Sequence, residues 1–184
     1  MGLLSKIFGS KKTITSILTH TQNNIFKIYG VTQPTDAQKM KALGYLCISG
    51  MAILNDLGGG EFQHEIDALV NETRELTKPY SMRVDELYNN EKLLKKILGD
   101  FPEEVQVTGA TRINGLAAFE ALYFSIGEEL MNDILTHTGG PFGAPGYAAI
   151  VVADGIFGEG RSKEYFIETS MELLNFTKEL YKVI

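Results

Sequence analysis

The sequence predicts an all-α protein, folded as a compact bundle of six to eight helices. Three observations support this prediction. Apolar residues recur at spacings of three and four along most of the 184-residue chain, which is the helical pattern. Gly, Pro, Thr and Asp residues stand where such stretches would begin and end. Apart from a hint of strand at 105–107, no stretch has the alternating pattern of a half-buried strand.

Two helices are predicted in the first part of the chain. Thr13 could cap the first helix, and Gly30 ends it. Thr35 or Asp36 then opens the second helix, which extends to about residue 57. Its many small residues lower the helix propensity. We therefore expect another helix to cross it closely.

A third and a fourth helix are predicted in the middle of the chain. The third spans about 61–78, and Pro79 stops it because proline cannot continue a helix. Ser81 or Asp85 opens the fourth helix, which ends near Gly99. These two helices have the periodicity of surface helices with one buried face.

Three further helices complete the predicted bundle. A long fifth helix runs from about 111 to 137. A short sixth helix, at 146–157, is apolar on nearly every side, so we expect it at the buried centre. Ser162 is the predicted cap of the last helix.

One helical domain is predicted over residues 13–184, preceded by an amphipathic segment at 1–12. The length fits a single domain. One helical face of the segment would be apolar and would hold Leu3, Leu4, Ile7 and Phe8. That face could touch a membrane surface, but a segment packed onto the domain, or a frayed end, is the preferred interpretation.

Charge and composition exclude several classes of function. The chain has 23 acidic and 17 basic residues, with a formal net charge of −6. Nucleic-acid binding is disfavoured because it requires clustered basic residues. No apolar run approaches the roughly 20 residues that span a bilayer. A lone cysteine, Cys47, fits a reducing compartment such as the cytoplasm. The acidic balance is compatible with a protein partner, and homo-oligomerisation is left open.

Two predicted hairpins resemble each other at an offset of 100 residues. Five residues recur in the same order: Gly58, Gly60, Glu72, Thr77 and Lys78 match Gly158, Gly160, Glu172, Thr177 and Lys178. Two pseudo-repeated helical hairpins could pack around an approximate two-fold axis. The alternative is that any two helical hairpins with glycine turns look this similar.

The stretch at 149–157, Ala-Ile-Val-Val-Ala-Asp-Gly-Ile-Phe, leads after a few residues into a Glu-bearing helix. It resembles the TerB family of tellurite-resistance proteins, in which an apolar helix runs into Asp-Gly and an acidic helix start, twice per domain. The resemblance covers about a third of the chain, and Leu57 replaces the first glycine. It implies a cytoplasmic, stress-associated module whose acidic loops could bind a divalent cation. The metal ligands would be Asp56, Glu61, Asp154 and Glu159.

From the residues alone, Asp56 and Asp154 have two interpretations. Each follows an apolar helical run, and a carboxylate near a helix C-terminus opposes the helix dipole. Each could bind a hard cation together with carbonyl groups of the adjacent glycine loop. Each could instead cap the helix that follows the loop, which is the preferred interpretation.

Glu120 is the remaining candidate site residue. It lies among alanine, leucine and phenylalanine residues of the predicted fifth helix. If it is buried it needs a partner, such as Arg112 or Lys41, and it could then line a ligand-binding pocket. The alternative is a position on the flank of the helix that reaches solvent.

No catalytic constellation is apparent in the sequence. Glu61 and His64 have the Glu-x-x-His spacing of di-iron bundles, but a second such pair is missing. We therefore predict a non-enzymatic module that binds a protein partner. One alternative is a divalent-cation sensor of the TerB type. The other is a small-ligand-binding protein or enzyme with a pocket near Glu120.

Overall fold

The computed structural model describes residues 12–58, 61–87 and 112–183. This part of the chain contains six α-helices: α1 (Ile14–Ile28), α2 (Asp36–Gly58), α3 (Gln63–Thr77), α4 (Gly115–Thr136), α5 (Ala144–Phe157) and α6 (Phe166–Val183). It also contains the short strands β1 (Ser81–Arg83) and β2 (Arg112–Asn114) and two 3₁₀ turns, Val84–Leu87 and Arg161–Lys163. The predicted all-α fold is confirmed, with six helices in the described part.

The first two helices begin with reciprocal side-chain caps. The Ser16 backbone N–H donates to Thr13 Oγ1 at 3.2 Å, and the Thr13 N–H donates to Ser16 Oγ at 3.0 Å. The Gln38 N–H donates to Thr35 Oγ1 at 3.2 Å, and the Thr35 N–H donates to Gln38 Oε1 at 3.0 Å. Both arrangements are capping boxes. The predicted starts are thus confirmed, with Thr35 rather than Asp36 as the second cap.

The end of α1 is formed at Gly30, as predicted. Gly30 has a φ of +67°, in the left-handed region that favours glycine. Its N–H donates to the Lys27 carbonyl at 3.1 Å, and the Val31 N–H donates to the Phe26 carbonyl at 2.8 Å. This pair of bonds occupies carbonyl groups that the last helical turn leaves free.

A two-stranded antiparallel ladder separates α3 from α4. Its register pairs Ser81 with Asn114, Met82 with Ile113 and Arg83 with Arg112. The ladder contradicts a helix starting at Ser81 and a fifth helix starting at 111. The rest of the predicted fourth helix and the strand expected at 105–107 lie outside the described residues.

The start of α4 has a local cause. The Ala117 N–H donates to Asn114 Oδ1 at 2.8 Å, so Asn114 is both the last strand residue and the helix cap. The predicted cap of the last helix is also wrong. Ser162 lies in the 3₁₀ turn, where its N–H is taken by Asp154, and α6 begins only at Phe166.

The core is one cluster of buried apolar side chains to which all six helices contribute. In α2, 15 of the 23 residues are buried, whereas α5 has 7 of 14, so α2 rather than α5 is the most enclosed helix. The predicted close crossing is confirmed at Gly44, where an added Cβ would lie 2.5 Å from Leu122 Cδ2 of α4. Gly155 of α5 lies similarly against the Tyr45 ring of α2.

The two hairpins suggested by the sequence are α2–α3 and α5–α6, and the helices within each pack against each other. Their second helices share three buried positions at the offset of 100: Leu69, Val70 and Thr73 correspond to Thr169, Ser170 and Leu173. The other buried positions differ, because α3 also buries Ile66 and Thr77 whereas α6 buries Phe176 and Leu180. The pseudo-repeat stays a prediction. The loops differ, because α6 is preceded by a 3₁₀ turn.

No helix among the described residues is long and apolar enough to cross a membrane. The apolar face predicted within 1–12, formed by Leu3, Leu4, Ile7 and Phe8, lies outside the described residues. Lys12 is described, and its Nζ lies 2.7 Å from Glu179 Oε2 on α6.

Candidate functional site

The four carboxylates predicted as metal ligands lie at the ends of two helices and in the segments that follow them, and cation binding by them stays a prediction. Asp56 is exposed in the last turn of α2, and Glu61 is exposed between α2 and α3. Asp154 is half-buried in α5, and Glu159 is exposed in the following turn. No group of three or more His, Cys, Asp or Glu side chains in 12–58, 61–87 and 112–183 could hold a metal ion.

The Asp154 side chain caps the 3₁₀ turn that precedes α6. Its Oδ1 accepts a hydrogen bond of 2.7 Å from the Ser162 N–H, at the 3₁₀ turn before α6. The carboxylate therefore joins the end of α5 to the start of the next helical segment. The loop-capping interpretation applies to this residue.

Glu120 is paired across two helices. Its Oε1 accepts from Arg74 Nε at 2.6 Å, and its Oε2 lies 3.4 Å from Arg74 Nη2. The two side chains remain 29% and 33% exposed. The partner is Arg74 of α3, not Arg112 or Lys41. Because the carboxylate is already bound by a guanidinium at the surface, the geometry gives little support to a ligand pocket at Glu120.

Lys41 is a buried lysine. From the sequence it was considered only as a candidate ion-pair partner of Glu120. The residue is 3% exposed in α2. Burial lowers the pKa of its amine to about 8, and the charge of Glu86 partly opposes this shift. The position of Lys41 in the helix could have indicated its burial. Ala37 and Tyr45, four residues to either side, lie on the same face of α2 and are also buried.

Cys47 is fully buried in α2. Burial raises the pKa of its thiol to about 12, although a hydrogen bond with Thr73 acts in the opposite direction. The thiolate is the reactive form of cysteine. This residue therefore acts as a small core side chain rather than a nucleophile.

An apolar groove lies between α2 and α4. It encloses about 210 Å³. The lining residues, which define the α2–α4 groove below, are Ile48, Met51, Tyr123, Phe124, Gly127, Glu128 and Met131. Gly127 keeps its floor open, since even a Cβ there would meet Ile48 Cδ1 at an ordinary 3.7 Å.

Phe124 stands at the edge of this groove. The side chain is 71% exposed, the largest exposure among the large apolar residues of the described part. Its ring contacts Tyr123 edge-on, with 5.1 Å between centroids. Met51 and Met131 are only half-buried. The groove therefore presents aromatic and thioether groups to solvent, and methionine adapts readily to different partners.

The walls of the groove carry charge of one sign. Between 42 and 58 in α2 and between 115 and 136 in α4 there is no Lys or Arg. The same stretches contain five acidic residues: Asp56, Glu120, Glu128, Glu129 and Asp133. Glu128, Glu129 and Asp133 line a shallow depression that adjoins the groove at Phe124.

A larger cavity, of about 480 Å³, lies between α1 and α6, and most of its lining residues have polar or charged side chains. Its charged groups are already paired within the protein. Lys12 contacts Glu179 at 2.7 Å, and Asn24 Nδ2 donates to Glu172 Oε1 at 3.0 Å. This cavity offers fewer free groups to a ligand than its size suggests.

The sequence contained a signal for the α2–α4 groove. Phe124, Gly127 and Met131 are spaced three and four residues apart, so they form a second stripe on α4 beside the buried stripe.

Comparison of the chain with models of known protein families, with curated proteins and with solved structures gave no significant match. The TerB resemblance stays a hypothesis.

Proposed function

We propose that this chain is a non-enzymatic helical module that binds a protein partner through the α2–α4 groove. The observation that carries the proposal is the 71% exposure of Phe124 at the edge of an apolar cavity of about 210 Å³. Burying a phenylalanine side chain is worth about 2 kcal/mol. A partner that covers this ring gains that free energy on binding.

The shape of the groove supports a protein rather than a metabolite. A small-molecule site usually has a few polar groups that converge on an enclosed pocket. Here Glu128 is the one charged residue of the lining, and the other side chains are aliphatic, thioether or aromatic. An apolar pocket bordered by an exposed aromatic ring is typical of the centre of a protein interface.

The other two hypotheses have weaker support. A divalent-cation sensor needs its acidic side chains to converge, and Asp154 is engaged by the Ser162 N–H instead. A ligand pocket at Glu120 competes with the Arg74 ion pair. The proposal includes a cytoplasmic location, because the single thiol, Cys47, fits a reducing compartment.

Photo-crosslinking tests the proposal. Benzoylphenylalanine would replace Phe124 in one sample and Ile167, an α6 residue that is 63% exposed, in the control. We expect a discrete adduct at position 124 only, and its formation should be suppressed by excess unlabelled wild-type protein.

Unlabelled Gly127→Leu protein should not suppress the adduct, because leucine fills the floor of the groove. The captured protein should then bind the purified chain, with affinity lowered roughly 30-fold by Phe124→Ala. Adducts that form equally at both positions, or that Gly127→Leu protein also suppresses, would contradict the proposal.

A further inference from the structure

We infer that the partner presents a basic amphipathic α-helix to the α2–α4 groove. The inference rests on the proposed function and names the chemistry of its partner. Two arguments support it. The first is the apolar lining of the groove, and the second is the charge of the acidic residues beside the groove.

The apolar step concerns the direction of the groove. Phe124, Gly127 and Met131 follow one stripe of α4, and Ile48 and Met51 face them from α2. An apolar groove between two helices can accept the apolar face of a third helix, whose anchors recur at three and four residues. Because Gly127 is buried in the lining and has no side chain, the groove has room beside it for one bulky anchor.

The electrostatic step concerns the residues around that groove. Glu128 belongs to its lining, and Asp133 lines the adjoining depression. Glu120 is paired with Arg74, so the acidic groups of α4 on which this step rests are Glu128 and Asp133. Lysine and arginine can lay their alkyl stems over apolar surface and extend their charged ends outward. Such side chains flanking an apolar face would reach these carboxylates.

The same charges disfavour other occupants. A second copy of this chain has a net charge of −6 and would bring the same acidic walls to the interface. Like charges placed opposite each other oppose association. An acidic or neutral helix would gain the apolar contact but no attraction from Glu128 and Asp133.

Two synthetic peptides of roughly 18 residues, about five helical turns, test the inference. The basic peptide has leucines and one tryptophan on one helical face and lysines on both flanks. The acidic peptide has glutamate in place of each lysine. Fluorescence anisotropy with the full chain should show the basic peptide binding at least about tenfold more tightly, with affinity falling as salt rises.

Three variants locate the binding. Glu128→Lys should weaken the basic peptide by about tenfold. Glu159→Lys makes the same change of net charge in the exposed turn after α5 and should leave the affinity within about twofold. Gly127→Leu should abolish binding while Gly127→Ala retains it, and circular dichroism would confirm that each variant is folded.

The outcomes separate this inference from the proposed function. Equal binding of both peptides, blocked by Gly127→Leu, would overturn the charge argument and leave the groove as the docking site. Tight basic-peptide binding that Gly127→Leu does not affect would mean unspecific attraction and would also overturn the inference. If neither peptide binds but crosslinking at position 124 succeeds, the basic helix is the wrong partner while the proposed function stands.

Discussion

Arg74 of α3 and Glu120 of α4 join their helices through two contacts, Nε to Oε1 at 2.6 Å and Nη2 to Oε2 at 3.4 Å. The pair is about one-third exposed, so water weakens it. Its fork-like geometry is nevertheless the stronger form of an arginine–carboxylate contact. It fixes α4 beside α3 close to the point where α4 begins.

A double-mutant cycle of Arg74→Ala and Glu120→Ala should give a coupling free energy of about 0.5–1 kcal/mol. The coupling should decrease at high salt because the pair is partly exposed. Urea unfolding of the two single variants and the double variant measures it. Additive effects of the two substitutions would show that the contact adds nothing to stability.

Two glycines in helix interiors should respond in opposite directions to alanine. Gly155→Ala should destabilise by about 1–3 kcal/mol, because the new methyl group would overlap the Tyr45 ring. Gly127→Ala should stabilise by up to about 1 kcal/mol, since its Cβ meets only ordinary contacts. Urea titrations of the two variants and the wild type measure each change in unfolding free energy. Equal changes for the two variants would contradict the described crossing of α2 and α5.

Lys41 should make stability depend on alkaline pH. Its pKa is about 8 in the folded chain, against 10.5 for an ordinary lysine. Below pH 8 both states hold the proton, and the folded state bears the full cost of the buried charge. Between about 8 and 10.5 only the unfolded state holds it, so this contribution to stability rises with pH. The difference of 2.5 between the two pKa values corresponds to about 3 kcal/mol of unfolding free energy.

The variant Lys41→Met removes the charge and keeps most of the side-chain volume. We expect it to exceed the wild type in unfolding free energy at pH 7, and the advantage should shrink as the pH approaches 10. Denaturant unfolding at several pH values, with the exposed Lys163→Met as control, measures this. An advantage that is constant with pH would mean that Lys41 keeps an ordinary pKa.

Cys47 should be unreactive in the native chain. Its thiol is fully buried, and burial raises its pKa to about 12. A disulfide reagent at pH 8 should therefore modify it only as fast as the protein opens, and at once in denaturant. Rapid stoichiometric labelling without denaturant would place this thiol at an accessible surface.

Asp154→Ala should lower stability by about 1 kcal/mol, because the Ser162 N–H loses its acceptor. Asp56→Ala, at an exposed position, should remain within about 0.5 kcal/mol of the wild type. Thermal unfolding after chelator treatment gives both values. A gain of about 2.7 kcal/mol with calcium, magnesium, manganese or zinc that Asp154→Ala removes would instead favour the cation-sensor hypothesis.

The helix boundaries that the sequence predicted correctly depend on short-range hydrogen bonds. Thr13 and Thr35 each bond to a residue three positions along, and Gly30 closes α1 with its own N–H. All the partners lie within one turn, so their residue types are visible in the sequence. The start of α2 and the end of α1 were predictable for this reason.

The misassigned elements depend on distant partners. Met82 and Ile113 form a ladder although 31 positions separate them, and each strand has only three residues. Arg74 and Glu120 meet across 46 positions. The α2–α4 groove is also a tertiary feature, because only the packing of the bundle decides that Phe124 stays exposed while Phe119, five residues earlier, is buried.

The lack of basic residues along α4 and between 42 and 58 in α2 also determines which probes can detect an occupied groove. Trypsin cleaves after Lys and Arg, and the chain contains neither between 42 and 73 nor between 113 and 160. Each wall therefore lies inside one long tryptic fragment, and amine-directed labels have no target there. Carboxyl-directed labelling, or a protease that cleaves after Glu128 or Glu129, will detect a bound partner that trypsin and amine-directed labels cannot detect.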